Sequence, residues 1–131
     1  MKDLHFDLTM STAESSAHEA IRKQAGKHDD RLAVIGTDES GTVLYWSKGA
    51  ETLYGWTETE AIGRSITDLT PATLSRREAE RIMHELLAGK SWRGDFTVHH
   101  RDGTAFTVHV EDEPVLLDGT VVGIVGVSSK R

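Results

Sequence analysis

Three histidines in the C-terminal half of the chain are the first candidates for metal chemistry. His99 and His100 are adjacent, so on a strand their side chains point to opposite faces and cannot bind one ion together. His99 and His109 share a face with Glu111 if both segments are strands, and imidazole and carboxylate are ligands that zinc accepts. Solvated strand surfaces carry the same residue types. The sequence therefore predicts solvated side chains here and no metal site.

Motifs for covalent and phosphoryl-transfer catalysis are absent from the sequence. The chain contains no GxxxxGK phosphate loop, no HExxH metal motif and no GxSxG nucleophile elbow. It also has no cysteine, which excludes disulfides, zinc–thiolate sites, iron–sulfur clusters and thiol nucleophiles. The sequence therefore predicts a protein that is not an enzyme.

The charge balance separates the chain from general nucleic-acid binders. Its 131 residues carry 15 basic and 21 acidic side chains, a formal charge of −6, whereas binding to phosphate backbones needs concentrated Lys and Arg. No apolar run is long enough to cross a membrane. Asp3 and Asp7 interrupt the N-terminus where a secretory signal is apolar. We therefore expect one cytoplasmic domain that binds neither nucleic acid nor membrane.

The first 30 residues differ from the rest, so we divide the chain into this region and a domain over residues 31–131. Alternating apolar residues over Leu4–Met10 predict an extended segment. A capping-box pattern from Ser11 to Glu14 predicts a helix that runs to about Ala25. Its apolar stripe is mostly alanine, so the helix needs a partner surface, either the domain or a second copy.

Periodicity and turn residues predict the elements that begin the domain. Short strands over residues 32–37 and 42–46 form a hairpin around Gly41, which supplies a positive φ. Ser47 is placed to cap a short helix that ends at Gly55. The sequence thus predicts a β-hairpin followed directly by a helix.

The second half of the domain contains further helices and three more strands. A capping box over residues 57–60 begins another short helix. Thr70-Pro71 is expected to open a longer helix that ends near Ala88, because proline is tolerated at the first helical position. Strands follow over residues 92–100, 106–115 and 121–128. This order predicts an α+β fold with a mainly antiparallel sheet and the helices on one side.

Side-chain alternation also predicts how the third and fourth strands pair. Phe96 and Val98 lie on one face of the third strand, and Val108 and Val110 lie on one face of the fourth. We expect Phe96 to oppose Val110 and Val98 to oppose Val108. This pairing requires an odd-length loop with a left-handed glycine at Gly103.

A series of short motifs gives a more specific indication. In chain order they are Gly36-Thr37-Asp38 with Gly41-Thr42-Val43, Tyr45-Trp46, Gly55-Trp56, residues 57–63 (TETEAIG), Trp92-Arg93-Gly94, residues 100–104 (HRDGT) and residues 119–127. In this order and spacing they resemble a PAS domain of the S-box type, over about residues 31–127. The resemblance implies a five-stranded antiparallel sheet in the order 2-1-5-4-3.

The resemblance also implies a sensory role, because PAS domains are input modules of bacterial kinases, cyclases, phosphatases and transcription regulators, including two-component systems. Two features depart from the family pattern. Ser47 stands where many members have asparagine, and the chain ends at Arg131, where an Asp-Ile-Thr connector often begins. We therefore expect an input domain, acting as a homodimer, whose linked output domain is missing from this chain.

The resemblance raises three cofactor alternatives. The LOV type of photosensor forms an adduct between flavin and a cysteine, which this chain lacks. Non-covalent FAD stays open, because FAD-binding members resemble Trp92-x-Gly94 and carry an aromatic residue beside the flavin ring. Some members bind haem through a histidine of the long helix, but His84 falls off the apolar stripe of that helix and is expected to face solvent.

The remaining candidate is a ligand pocket between the sheet and the long helix. Asp112 and Ser47 are candidates for its polar contacts, and Val43 or Tyr45 is a candidate for its lining on the second strand. An alternative is that these side chains only fill a core, in a ligand-free dimerisation module. The predicted lining consists of Tyr45, Ile66, Leu69, Ile82, Met83, Leu86, Phe96, Val98, Phe106, Val108, Val110, Asp112 and Ile124, with Gly126 beside them.

Overall fold

The computed structural model describes residues 12–71 and 76–131. In chain order its elements are α1 (Thr12–Ala25), β1 (Ala33–Asp38), β2 (Val43–Trp46), α2 (Lys48–Tyr54), α3 (Glu58–Ala61), α4 (Ile66–Leu69), α5 (Arg76–Leu87), β3 (Trp92–His99), β4 (Ala105–Leu117) and β5 (Thr120–Lys130). The extended segment predicted over Leu4–Met10 and the cap predicted at Ser11 lie outside the described residues.

The five strands form one antiparallel sheet in the order β2-β1-β5-β4-β3. This confirms the predicted α+β fold and strand order. The central strand β5 is therefore hydrogen-bonded to β1 on one side and to β4 on the other. We call the sheet face that packs against α2–α5 the inner face, and the opposite face the outer face.

The predicted capping residues are found at the ends of the short helices α2 and α3. The Ser47 hydroxyl accepts a hydrogen bond from the Ala50 amide, and α2 ends at Gly55 with φ 85°. Thr57 and Glu60 form the predicted capping box at the start of α3. Each of these helices is too short to be stable alone, so its stability comes from packing on the inner face.

The helix α1 covers the outer face of the sheet. Its side chains Ile21 and Ala25 are fully buried against Val34 and Val125. Gly123 makes room for Ile21, because a Cβ on that glycine would collide with the Ile21 side chain. The apolar stripe of α1 therefore packs on the sheet. Ile21 enters a socket above position 123, which only glycine leaves open.

Replacing Ile21 with alanine is expected to loosen α1 without unfolding the sheet. The change removes the largest fully buried side chain of this cluster and leaves a cavity. We expect the α1 amides to exchange their hydrogens at least about tenfold faster, while β5 amides keep their protection. The matched control is Lys23→Ala, at an exposed position of the same helix. Unchanged α1 exchange in Ile21→Ala would show that the socket does not hold the helix.

The start of the long helix differs from the prediction. Thr70-Pro71 does not open α5, which is described from Arg76 onwards. Instead Pro71 forms an isolated β-bridge with Val98, and the Thr70 carbonyl accepts a hydrogen bond from the His99 amide at 2.7 Å. The prediction was wrong because the proline rule describes helix starts locally, whereas this segment is held by a distant strand.

The pairing of β3 with β4 is displaced by two residues from the predicted register. Phe96 opposes Val108 and Val98 opposes Phe106, whereas we expected Val110 and Val108 as their partners. Because the displacement is an even number of residues, every side chain keeps its predicted face. The error therefore leaves the composition of the inner face unchanged.

Charge pairing and the loop explain the observed register. It places Arg93 opposite Glu111 and Asp95 opposite His109, whereas the predicted register would set Asp95 opposite Glu111, and like charges directly across two strands are destabilising. The His100 amide donates to the Thr104 carbonyl at 2.8 Å, so residues 101–103 form an odd-length turn, with Gly103 left-handed at φ 93° as predicted.

Candidate functional site

A cavity of about 350 Å³ lies between the inner face of the sheet and the helices α4 and α5. Its volume is within the range of roughly 300–1,000 Å³ that is common for ligand pockets. Most of its wall is apolar. Among the predicted residues, the ones that line it are Ile66, Ile82, Met83, Leu86, Phe96, Val98, Val110, Asp112, Ile124 and Gly126.

Four predicted lining residues do not reach the cavity. Leu69 and Val108 are completely buried in the neighbouring core cluster. Phe106 packs on the Tyr54 ring, with 6.2 Å between the ring centroids. Tyr45 packs with the outer-face cluster around Ile21. A β-bulge between Gly36 and Thr37 in the β1–β2 pairing interrupts the alternation of side chains in this part of the sheet.

Ser47 and Val43 also lie outside the cavity lining. Both are buried, Val43 in the core cluster and Ser47 at the start of α2. The Ser47 hydroxyl donates to the Leu32 carbonyl at 2.6 Å and accepts from the amides of Val34 and Ala50 at 2.8 and 3.1 Å. With these three bonds it joins β1 to α2 and is not directed at a ligand.

The cavity includes residues that the sequence analysis missed as lining. Ile35 and Ser128 line it from β1 and β5, Tyr54 lines it from α2, and Trp92 lines it from β3. Ser128 could have been found, because it continues the alternation of Ile124 and Gly126 on the same face. Tyr54 had no such signal, since its direction depends on how α2 packs on the sheet.

Tyr54 and Ser128 form a polar pair at one side of the cavity. The Tyr54 hydroxyl donates a hydrogen bond to the Ser128 Oγ at 2.9 Å. Burial raises the pKa of Tyr54 to about 12, and the nearby negative charge of Asp112 acts in the same direction. The phenol therefore stays protonated and serves as a fixed donor.

Asp112 is the acidic group whose charge acts on Tyr54. It lies between Trp92 on β3 and Gly126 on β5 in the sheet. Its carboxylate occupies the space above Gly126, where a Cβ would collide with it. Among the described residues it has no hydrogen-bond or ion-pair partner. Part of its surface is accessible from the cavity, but burial raises its pKa to about 7.

The charged groups of the cavity lining are all acidic. Asp112 lies inside, and the exposed Glu39 and Glu80 lie on the lining at the solvent side. Among the described lining residues there is no Lys, Arg or His. The acidic groups of the described lining are therefore not offset by a basic side chain of the same lining.

The histidines considered for metal binding lie away from this cavity. On the outer face, His109 contacts Asp95 at 3.3 Å and Glu111 at 3.4 Å. Arg131 and Arg93 pair with the same two carboxylates, at 3.1 and 3.2 Å. Hydrogen bonds from Arg131 and His109 hold the pKa of Asp95 below its usual range. Within residues 12–71 and 76–131, no group of three or more His, Asp or Glu has the arrangement of a metal site.

The described lining of the cavity offers no histidine as an axial ligand for a haem. His84 is exposed on α5, as predicted, and does not line the cavity. Trp92 lines the cavity and has an edge-on contact with Phe96, with 6.5 Å between the ring centroids, so an aromatic ring is available beside a flat ligand. The described lining offers no cationic side chain to a flavin phosphate.

No helix in the described part of the chain is both long and apolar enough to span a membrane.

The sheet order and the cavity beneath the helices define a class of small α+β domains with an internal cavity. The chain belongs to the PAS family, because the family model for the PAS fold matches residues 31–130. The PAS domain of a Colwellia psychrerythraea protein superposes with a TM-score of 0.75 at 25% identity, over 83% of this chain and 95% of that chain. This protein is therefore a PAS sensory domain.

Two curated proteins are similar in sequence. The sensor protein FixL of Bradyrhizobium diazoefficiens is 33% identical over 86 residues, which is 60% of this chain and 16% of that protein. A probable serine/threonine-protein kinase of Dictyostelium discoideum is 25% identical over 95 residues, which is 69% of this chain and 6% of that protein. The chain thus spans a small part of each relative.

Proposed function

We propose that this PAS domain binds a small, largely apolar ligand in the cavity and that its occupancy regulates an output domain. The observation that supports the proposal best is the cavity itself. It has an apolar wall from α5 and the sheet, and a small set of polar groups at Asp112, Tyr54 and Ser128. A few polar groups in an apolar cavity are typical of sites that orient a ligand.

The central strand β5 offers a path from the ligand to the rest of the protein. Its inner residues Ile124 and Ser128 line the cavity. Its outer residues Gly123 and Val125 contact Ile21 of α1. A ligand that favours one arrangement of β5 and α5 therefore also favours one position of α1, as a shift between populated states. We propose that this position acts on the output domain within a homodimer.

Blocking the cavity is expected to remove the ligand. Ala79 lies on α5 and lines the cavity, so Ala79→Trp places an indole in the space of the ligand. Native mass spectrometry, with a denatured sample for comparison, should show bound mass on the unchanged protein and none on the variant. The matched control is Ala88→Trp, an exposed position just beyond α5 and outside the cavity lining.

The outcomes separate the proposal from its alternatives. Bound mass that persists in Ala79→Trp would contradict binding in this cavity. A purified protein without bound mass, which also dimerises, would favour the ligand-free dimerisation module. A visible absorption spectrum of a flavin or a haem would favour a redox or gas sensor instead.

A further inference from the structure

We propose that the cavity selects an amphipathic amine or another organic cation, whose positive group binds beside Asp112 while its hydrocarbon part lies along α5. This inference rests on the proposed function, because it names the chemical class of ligand for the same cavity. It is carried by the geometry around Asp112, by the charges of the lining and by the aromatic rings next to them.

The first argument is the lack of a partner for Asp112. A carboxylate away from bulk water is costly unless a donor or a positive charge compensates it. Within the described residues nothing compensates Asp112, and Gly126 leaves the space that the carboxylate occupies. A ligand with a positive, hydrogen-donating group would supply the missing partner and form a charge-assisted hydrogen bond.

The second argument is the charge of the whole lining. Glu39 and Glu80 lie on the same cavity as Asp112, with no basic side chain among the described lining residues. Residues 72–75, which the structure does not describe, are Ala, Thr, Leu and Ser and carry no charge. Acidic groups with no opposing cation attract positive ligands and repel carboxylates and phosphates.

The third argument is the aromatic surface beside the carboxylate. Trp92 is the cross-strand neighbour of Asp112, and Phe96 contacts Trp92 edge-on. Both rings line the cavity. Aromatic rings attract ammonium groups through their negative faces, and tryptophan does so most strongly. An acid and two rings at one end of an apolar cavity therefore match an ammonium group attached to a hydrocarbon.

The groups that face Asp112 set the pH dependence of such binding. Tyr54 faces it from α2 and stays neutral, and Glu80 lies on the cavity lining from α5. Glu111 and Glu113 precede and follow it on β4 but point to the outer face. With a carboxyl pKa of about 7, an amine that stays charged should bind about tenfold more weakly at about pH 6 than at about pH 8.

Three linear probes of eight carbon atoms each test the inference on the full chain. Octylamine, octanol and octanoate have hydrocarbon tails of nearly equal length and differ mainly in the polar end, and calorimetric titration at about pH 8 measures each affinity. We expect octylamine to bind at least about tenfold more tightly than octanol, and octanoate to bind most weakly. In Asp112→Asn, octylamine should lose this advantage and its pH dependence, while octanol should bind as before. The matched control is Glu113→Gln, an exposed carboxylate one residue away on the outer face.

The outcomes distinguish this inference from the proposed function. Equal binding of the three probes, or octylamine binding that Asp112→Asn leaves unchanged, overturns the selection of cations but keeps the ligand cavity. Octylamine binding that does not weaken at about pH 6 also overturns the role of Asp112, even without a variant. Failure of all three probes to bind overturns the proposed function and this inference together.

Discussion

The Asp112→Asn variant is expected to become more stable than the unchanged protein as the pH rises. The folded pKa of Asp112 is about 7, above its ordinary value of 3.8. The stability that the protonated Asp112 carboxyl provides is therefore fully present below about pH 4 and is lost as the pH rises through about 7. The reason is that between these pH values the carboxyl ionises in the unfolded chain but stays protonated in the folded protein. Between about pH 5 and about pH 8 this loss amounts to about 2–3 kcal/mol.

Thermal unfolding at several pH values measures this effect. We expect the melting temperature of Asp112→Asn to exceed that of the unchanged protein by an amount that grows by about 5–10 °C between about pH 5 and about pH 8. Other carboxylates, such as Asp95 and Glu111, have lowered pKa values and lose their stabilising effect in acid, but they titrate equally in both proteins. Parallel pH curves for the two proteins would contradict the raised pKa of Asp112.

The Ser47→Ala variant is expected to lose about 2–4 kcal/mol of the free energy of unfolding. The hydroxyl is buried and takes part in three hydrogen bonds, to Leu32, Val34 and Ala50. Alanine leaves two amides and one carbonyl without this partner, and it also removes the N-cap of α2. The loss should be nearly independent of pH, because no ionisable group takes part.

Denaturant unfolding of Ser47→Ala measures the loss directly. The matched control is Ser129→Ala, which removes an exposed hydroxyl of β5 and should change stability by less than about 0.5 kcal/mol. A Ser47→Ala variant as stable as this control would show that water replaces the buried hydroxyl, and that Ser47 does not join β1 to α2.

The two predictions describe polar groups with opposite effects on the fold. Ser47 is satisfied by three hydrogen bonds and stabilises the domain, whereas Asp112 has no partner among the described residues and destabilises the domain at neutral pH. Proteins keep costly polar groups at functional sites more often than in cores. This contrast is a reason to look for the ligand at Asp112 and not at Ser47, although the sequence made both candidates for its polar contacts.

Much of the inner face could be predicted because side-chain alternation depends only on neighbouring residues. The faces of Phe96, Val98, Val110 and Asp112 follow from this period whatever the strand pairing is. The register was harder, since it depends on loop length as well as on the pattern. Cross-strand charge would have improved the prediction, because Asp95 opposite His109 is favourable and Asp95 opposite Glu111 is not.

The sequence by itself determined the helix caps, the turn glycines and the order of elements, because each of these depends on residues a few positions apart. The order and spacing of the short motifs between residues 31 and 127 then indicated the PAS family. Only the tertiary structure decided that Asp112 lies without a partner among residues 12–71 and 76–131, and that Ile21 of α1 fits the socket at Gly123. Both properties depend on residues far apart in the chain, whose approach is set by the packing of the whole sheet.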